Sequence, residues 1–157
     1  TLARNEGKQL NEGIVQDYRY DYLCIEPKIV WAPSVFFEAE YKATVSCVGG
    51  GIGEDTSLDP LWEVAQRLTL SLEFHDTEFR LSGEHFYNDL SKNQHLNIWL
   101  ADVSLIHKAG KWRFAASAIN LFNKEQYRYT LYSAVQSYTS WIKLRPREFM
   151  VSVQYQW

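Results

Sequence analysis

Glu38 and Glu40 stand two residues apart in a run of unbroken polar and apolar alternation, which places both carboxylates on one strand face about 7 Å apart. Two carboxylates so spaced are the equipment of a glycoside hydrolase, one donating a proton and the other acting as nucleophile or base. Lys28 and Lys42 bring neighbouring positive charge, so the same residues also read as a charge network on a wet face, and this second use is the expectation. Four histidines, His75, His85, His95 and His107, fall near strand ends on differing faces without metal-ligand spacing. Gly49, Gly50, Gly51 and Gly53 have the density of a phosphate loop, but no helix carrying Lys-Ser or Lys-Thr follows them. No Ser or Cys has a recognisable His and acid partnership. The chain is expected to be no enzyme and to hold no metal or cofactor.

A second group is aromatic. Tyr127, Tyr129, Tyr132, Tyr138 and Trp141 gather toward the outer end of the last two expected strands, where they can stack on a ligand or sugar or mark an interfacial girdle. Aromatic residues make up 15% of the 157, with ten Tyr and six Trp, a richness that suits a headgroup girdle, a carbohydrate-binding sandwich or an aromatic core alike. Sixteen basic residues against nineteen acidic ones give a net charge of -3, too balanced for a nucleic-acid partner. No run of eighteen apolar residues exists to form a helical span, and a negative mean hydropathy does not argue against a barrel whose strands are half polar. No basic-then-apolar leader stands at Thr1, so an export signal is expected to have been removed or to lie in a part of the protein not present here. Cys24 and Cys47 fall on opposite faces of adjacent expected strands and are expected to be free thiols.

The elements that carry these residues are strands. Residues 148–157 alternate to the end of the chain, with Phe149, Val151, Val153, Tyr155 and Trp157 against Glu148, Met150, Ser152, Gln154 and Gln156. Residues 35–45 repeat the pattern, as do 67–75. Further strands are expected over 20–31, 78–88, 94–107, 112–118 with a continuation through 127–132, and 138–157, seven in all. In 94–107 the parity is mixed, because Leu96, Ile98 and Leu100 oppose Val103 and Leu105, and a bulge near Ala101 would repair it. Residues 1–17 and 48–62 read as loops, since they hold Gly and charged residues without a period. Short connections at 32–34, 76–77 and 108–111 alternate with longer ones at 48–62, 89–93 and 134–137, the asymmetry of periplasmic turns and external loops.

Four or five successive charged or hydroxyl groups on the polar faces of 35–45 and 67–75 would be costly to bury in a narrow core, so that face is expected to be wet and the apolar face to be the outside. A two-sheet sandwich gives the same alternation. Seven strands leave an edge, and an edge in hydrocarbon leaves backbone groups unsatisfied, so the chain is expected to be the C-terminal segment of a larger antiparallel up-and-down transmembrane β-barrel. In that reading residues 1–17 are an external loop, 18–157 are strands, and the C-terminus is periplasmic.

Residues 100–157 resemble the end of TonB-dependent outer-membrane receptors, particularly those of Bacteroidetes. The matching pieces are Ala101-Asp102-Val103-Ser104-Leu105, the turn Lys108-Ala109-Gly110-Lys111-Trp112, the motif Asn120-Leu121-Phe122-Asn123-Lys124 with Tyr127 beyond it, and Leu144-Arg145-Pro146-Arg147-Glu148-Phe149 before the aromatic terminus. The resemblance implies a 22-stranded barrel with an N-terminal plug in the outer membrane of a Gram-negative bacterium, importing an iron chelate, cobalamin or a glycan. Its implied partners are the remaining barrel strands and plug of the same receptor, TonB, ExbB and ExbD acting through a plug that this chain lacks, a surface lipoprotein and outer-membrane lipid. The terminal Phe149, Val151, Val153, Tyr155 and Trp157 resemble the signal read by the barrel-assembly machinery through strand addition. A small structural or porin-like barrel and a soluble carbohydrate-binding β-sandwich are the alternatives.

Overall fold

The computed structural model describes residues 1–11, 13–52, 56–91, 94–132 and 137–157, with side chains described for all of these except 9, 11, 52, 56–58, 90, 91, 94, 129–132 and 137. Among the described residues there is no helix. The chain forms β1 (Leu2–Asn11), β2 (Ile14–Ile25), β3 (Lys28–Ser34), β4 (Phe37–Ile52), β5 (Thr56–Phe74), β6 (Thr77–Ser91), β7 (Gln94–Ala109), β8 (Trp112–Ile119), β9 (Gln126–Tyr132), β10 (Ser137–Lys143) and β11 (Glu148–Tyr155).

Every pairing is antiparallel, and the main sheet runs β1-β2-β4-β5-β6-β7-β8-β11 with β3 also on β4. β2 and β3 are two halves of one path along β4, parted at Glu26-Pro27. Pro27 has no N–H to donate, yet its carbonyl still accepts from the Ala43 N–H at 3.0 Å, so the interruption is local. The meander therefore has eight rows of strand across it, not seven. The sheet is open: among the described residues β11 does not reach β1, and no closed barrel forms.

Several boundaries differ from the sequence expectations. Residues 2–11, expected as loop, form β1 and pair with β2 from Leu2↔Leu23 to Asn11↔Ile14. Both faces of β1 are mostly polar, so no apolar period reveals it. Charge links it instead: Arg4 Nε lies 2.7 Å from Asp21 Oδ1 across the strands, and Arg19 Nε lies 2.9 Å from Asp21 Oδ2 along β2. Of the 48–62 segment, also expected as loop, the described residues 48–52 and 56–62 are likewise strand, because β4 runs to Ile52 and β5 begins at Thr56, while 53–55 lie outside the described residues. The glycines there permit it: the ladder shifts register between Val48 and Gly50, and a Cβ at Gly50 would collide with the Arg19 carbonyl oxygen.

No bulge interrupts β7 at Ala101, since the β6–β7 register is continuous from Thr77↔His107 to Asp89↔His95 and shifts only between Asp89 and Ser91. The short turns sit at Val35-Phe36, His75-Asp76 and Gly110-Lys111, with positive φ at His75 and Gly110 in the first central position, as two-residue hairpins favour. Finally, the last two expected strands are each broken in two, and β9 with β10 forms a separate two-stranded sheet.

Candidate functional site

Residues opposed in an antiparallel pair share a face, so the registers assign every side chain of the sheet to one of two sides. One side carries Leu23, Ile29, Phe37, Ala39, Tyr41, Leu68, Leu70, Leu72, Phe79, Leu81, Val103, Leu105, Ala116 and Phe114. Phe149, Val151, Val153 and Tyr155 of the terminal strand continue it, with Phe149 73% and Val151 81% exposed, and Trp157 is fully exposed beyond them. No second layer covers this side among the described residues.

The aromatic ends of the apolar side do not follow the hydrogen-bonded rows. At the short-turn end they are Trp112 with Tyr155, then Phe74, then Phe37, then Trp31. Trp112 lies opposite Ala109, two residues beyond His107, which shares the row of Phe74; Phe37 opposes Leu72, two residues from Phe74; Trp31 opposes Ala39, two from Phe37. The line thus climbs three two-residue displacements over five strand-to-strand steps from β8 to β3. At about 3.3 Å per residue and about 4.8 Å per step, this corresponds to strands tilted by roughly 40° from the normal to the aromatic line. At the other end Trp99, Tyr87 and Trp62 climb in the same direction across β7, β6 and β5. Within the band a directional chain of hydrogen bonds satisfies the polar groups. The Tyr41 hydroxyl donates to Gln66 Oε1 (2.7 Å), Gln66 Nε2 lies 2.7 Å from His85 Nδ1, and His85 Nε2 lies 2.9 Å from Asn97 Oδ1. The His85 ring is stacked on Trp99 at 4.2 Å. With both nitrogens engaged, His85 is a structural link.

The opposite side is charged and self-compensating. Glu40 is held between Lys42 Nζ at 2.6 Å and Lys28 Nζ at 3.1 Å, Arg67 pairs with Glu84, and Arg80 with Glu78 at 3.1 Å. Of the Glu38 and Glu40 pair, Glu40 is therefore the member of a charge network, with two ammonium partners. Among the described residues no three His, Cys, Asp or Glu converge as a metal site. Cys24 and Cys47 point to opposite sides of neighbouring strands as free thiols.

Beyond the apolar band, the Arg4 and Arg19 guanidiniums hold the Asp21 carboxyl below its ordinary range, the Arg4 hydrogen bond being the largest cause. A depressed folded value contributes stability above the ordinary carboxylate range and loses it as pH falls through the lowered value. Amide protection factors across β1–β2 should therefore fall on acidification below pH 4 in the wild type (ordinary Asp pKa about 3.9), and Asp21→Asn should remove that dependence. Equal acid dependence in both proteins would count against the Asp21 link.

The β9–β10 hairpin leaves the sheet at a node built by Asn120. Asn120 is 5% exposed with φ of 54°, a left-handed conformation that Asn tolerates. Its backbone N–H donates to Asp102 Oδ1 (2.8 Å), its Nδ2 donates to the carbonyls of Lys124 (2.8 Å) and Arg145 (2.7 Å), and its Oδ1 accepts from the Lys124 N–H (2.9 Å). Asn123, φ 51°, accepts the Arg147 N–H at Oδ1 (2.9 Å). These bonds clasp the break after β8 to the break before β11, where Pro146 has no N–H for a ladder. Leu121 stays on the sheet through its N–H to the Ala101 carbonyl, while Phe122 is exposed. So redirected, β9 lies over the charged side, with Tyr127 against Phe86 at 5.2 Å between centroids. A cavity of about 140 Å³ remains at the root of the hairpin, lined in part by Glu84, Leu100, Asp102 and Arg145.

The five aromatic candidates do not form one cluster. Tyr138 opposes Leu131 and shares the Tyr127 face of the hairpin, whereas Trp141 opposes Arg128 and belongs to the other face. The side chains of Tyr129 and Tyr132 lie outside the described residues. Trp141 is 64% exposed, and the Arg128 guanidinium carbon sits 4.9 Å from its ring centroid. Sequence reasoning passed over Arg128, for which a cation between two tyrosines was the one available hint; Asp102 and Arg145 entered it only inside the motif pieces of the family resemblance, without a role. No family model matches this chain, no curated protein is similar to it, and no solved structure matches it.

Proposed function

We propose that this chain is a wall segment of an outer-membrane transporter barrel of the TonB-dependent receptor type, the family its terminal motifs resemble, working in nutrient import. The observation that carries the reading is the oblique course of the aromatic lines along an exposed apolar face. Membrane barrels tilt their strands by about 35–45° and girdle an apolar band about 25 Å tall with aromatics. A band bounded at right angles to the barrel axis must cross tilted strands obliquely, as Trp112, Phe74, Phe37 and Trp31 do. A soluble sandwich needs no such line and would bury the face that is bare here.

In this reading the charged side faces a wet lumen, where ion pairs keep access to water. The free edges of β1 and β11 meet the remaining strands of the same barrel, because an unpaired edge in hydrocarbon costs several kcal/mol per backbone group. Residues 149–157 then serve as the strand presented to the assembly machinery. Energy relayed by TonB, ExbB and ExbD acts through a plug in this proposal, and the wall supplies the passage.

Depth-resolved quenching tests it. The parent polypeptide is refolded into vesicles of brominated phosphatidylcholine in single-Trp versions. Emission of Trp31, Trp62, Trp99 and Trp112 should be quenched, and emission of Trp141 preserved. Unquenched Trp62 and Trp112 would overturn the proposal.

A further inference from the structure

We infer that Arg128 and Trp141 form a lumen-side binding platform for a carboxylate-bearing saccharide, an inference that rests on reading the charged side of the sheet as the lumen. The β9–β10 hairpin packs its Tyr127 face on Phe86, so the opposite face, which bears Arg128 and Trp141, is turned away from the wall. Arg67 and Arg80 on the wall have carboxylate partners. Among the described residues Arg128 has none, and its Nε is buried without an acceptor. The buried Nε is out of a ligand's reach, and it is the terminal nitrogens of the same fork, with no carboxylate partner among the described residues, that an incoming carboxylate would engage.

Trp141 adds the second half of the recognition. Arg128 is held against its ring at 4.9 Å, which orients the planar fork, while the indole remains 64% exposed. An exposed indole presents a flat apolar surface to the C–H face of a pyranose. A uronate carries both features in one ring: a C–H face and a carboxylate at the sugar's edge. The clasp at Asn120 fixes the hairpin root, so the pair is presented by an anchored element.

Galacturonate and galactose differ at C6 alone and separate the two contacts. The full barrel, in detergent, is titrated calorimetrically with trigalacturonate and with galactotriose. The wild type should bind trigalacturonate saturably and at least about tenfold more tightly than galactotriose, a factor in the range of one charge-assisted hydrogen bond. Arg128→Gln should remove that preference, Arg128→Lys should retain part of it, and Trp141→Ala should weaken both sugars. Absence of saturable trigalacturonate binding, an unchanged preference in Arg128→Gln, or equal wild-type affinity for the two sugars would overturn the inference. Lipid quenching of Trp112, measured on the same proteins, keeps the two readings apart. Quenching without uronate binding rejects the platform and keeps the membrane wall, and uronate binding lost in Arg128→Gln without quenching does the reverse.

Discussion

Arginine in place of Leu70 is expected to destabilise the folded sheet in a bilayer by about 2–4 kcal/mol, whereas arginine at Ser71, the next residue, should cost well under about 1 kcal/mol. Leu70 opposes Ala39 and Leu81 at the middle of the apolar band on β5, between Trp62 and Phe74. A guanidinium there must shed water into hydrocarbon or bend far toward a headgroup. Ser71 opposes Glu38 and Arg80 on the charged side, where a further cation meets both water and acid. A third substitution separates lipid from a protein core: Trp62→Arg at the band edge should cost only about 0–1 kcal/mol, because the penalty falls toward the interface. Guanidinium unfolding in phosphatidylcholine vesicles measures all three. Equal costs at Leu70 and Ser71, or a Trp62 cost matching that at Leu70, would remove the lipid assignment.

Parity made this comparison readable in advance for β4, the lower half of β5 and β11, where each face meets one medium over the whole stretch. It failed where that condition fails. In β7, Leu96, Ile98 and Leu100 lie on the side covered in part by β9, while Val103 and Leu105 lie on the bare apolar side, so a single regular strand shows two opposite patterns. A bulge is the local explanation of such a switch, and a hairpin folded back from thirty residues further along the chain is the actual one. β1 was invisible for a related reason. Arg4, Glu6 and Lys8 alternate with Asn5 and Gly7, polar against polar, and only the partner strand supplies the charge register.

The site divides along the same line between local and distant causes. Pro146 is the local sign of a break that the reading of 138–157 as one strand did not take, since a residue without N–H cannot serve a ladder. The Asn-Leu-Phe-Asn run was legible as a motif, yet its work lies in bonds to the Arg145 carbonyl and the Asp102 carboxylate, partners fixed by topology. Once the breaks on both sides of the hairpin are joined, β9 and β10 cannot continue the plane of β8 and β11. Tyr127, Tyr138 and Trp141 are then sorted by hairpin face rather than gathered by proximity in sequence.

That sorting makes Asn120 the most consequential single side chain of the node. Asn120→Ala should destabilise the folded protein by about 4 kcal/mol: three side-chain hydrogen bonds at about 1 kcal/mol each, plus about 1 kcal/mol for holding alanine at positive φ. The first part is raised by burial, because the Arg145 carbonyl and the Lys124 N–H lose their partner where water reaches them poorly. Asn120→Gly loses the same bonds without the steric part and should be about 1 kcal/mol milder. Asn120→Asp keeps an acceptor for the Lys124 N–H but turns an oxygen toward two carbonyls, and should be no better than alanine. Asp102→Ala, which removes only the acceptor of the Asn120 backbone N–H, should cost about 1–2 kcal/mol. Denaturant unfolding gives the ranking, and proteolysis between residues 120 and 147 shows whether the hairpin lets go before the sheet. Glycine proving as costly as alanine would remove the backbone part of the argument, and an alanine cost below about 1 kcal/mol would mean that the clasp is not what holds β9 over the wall.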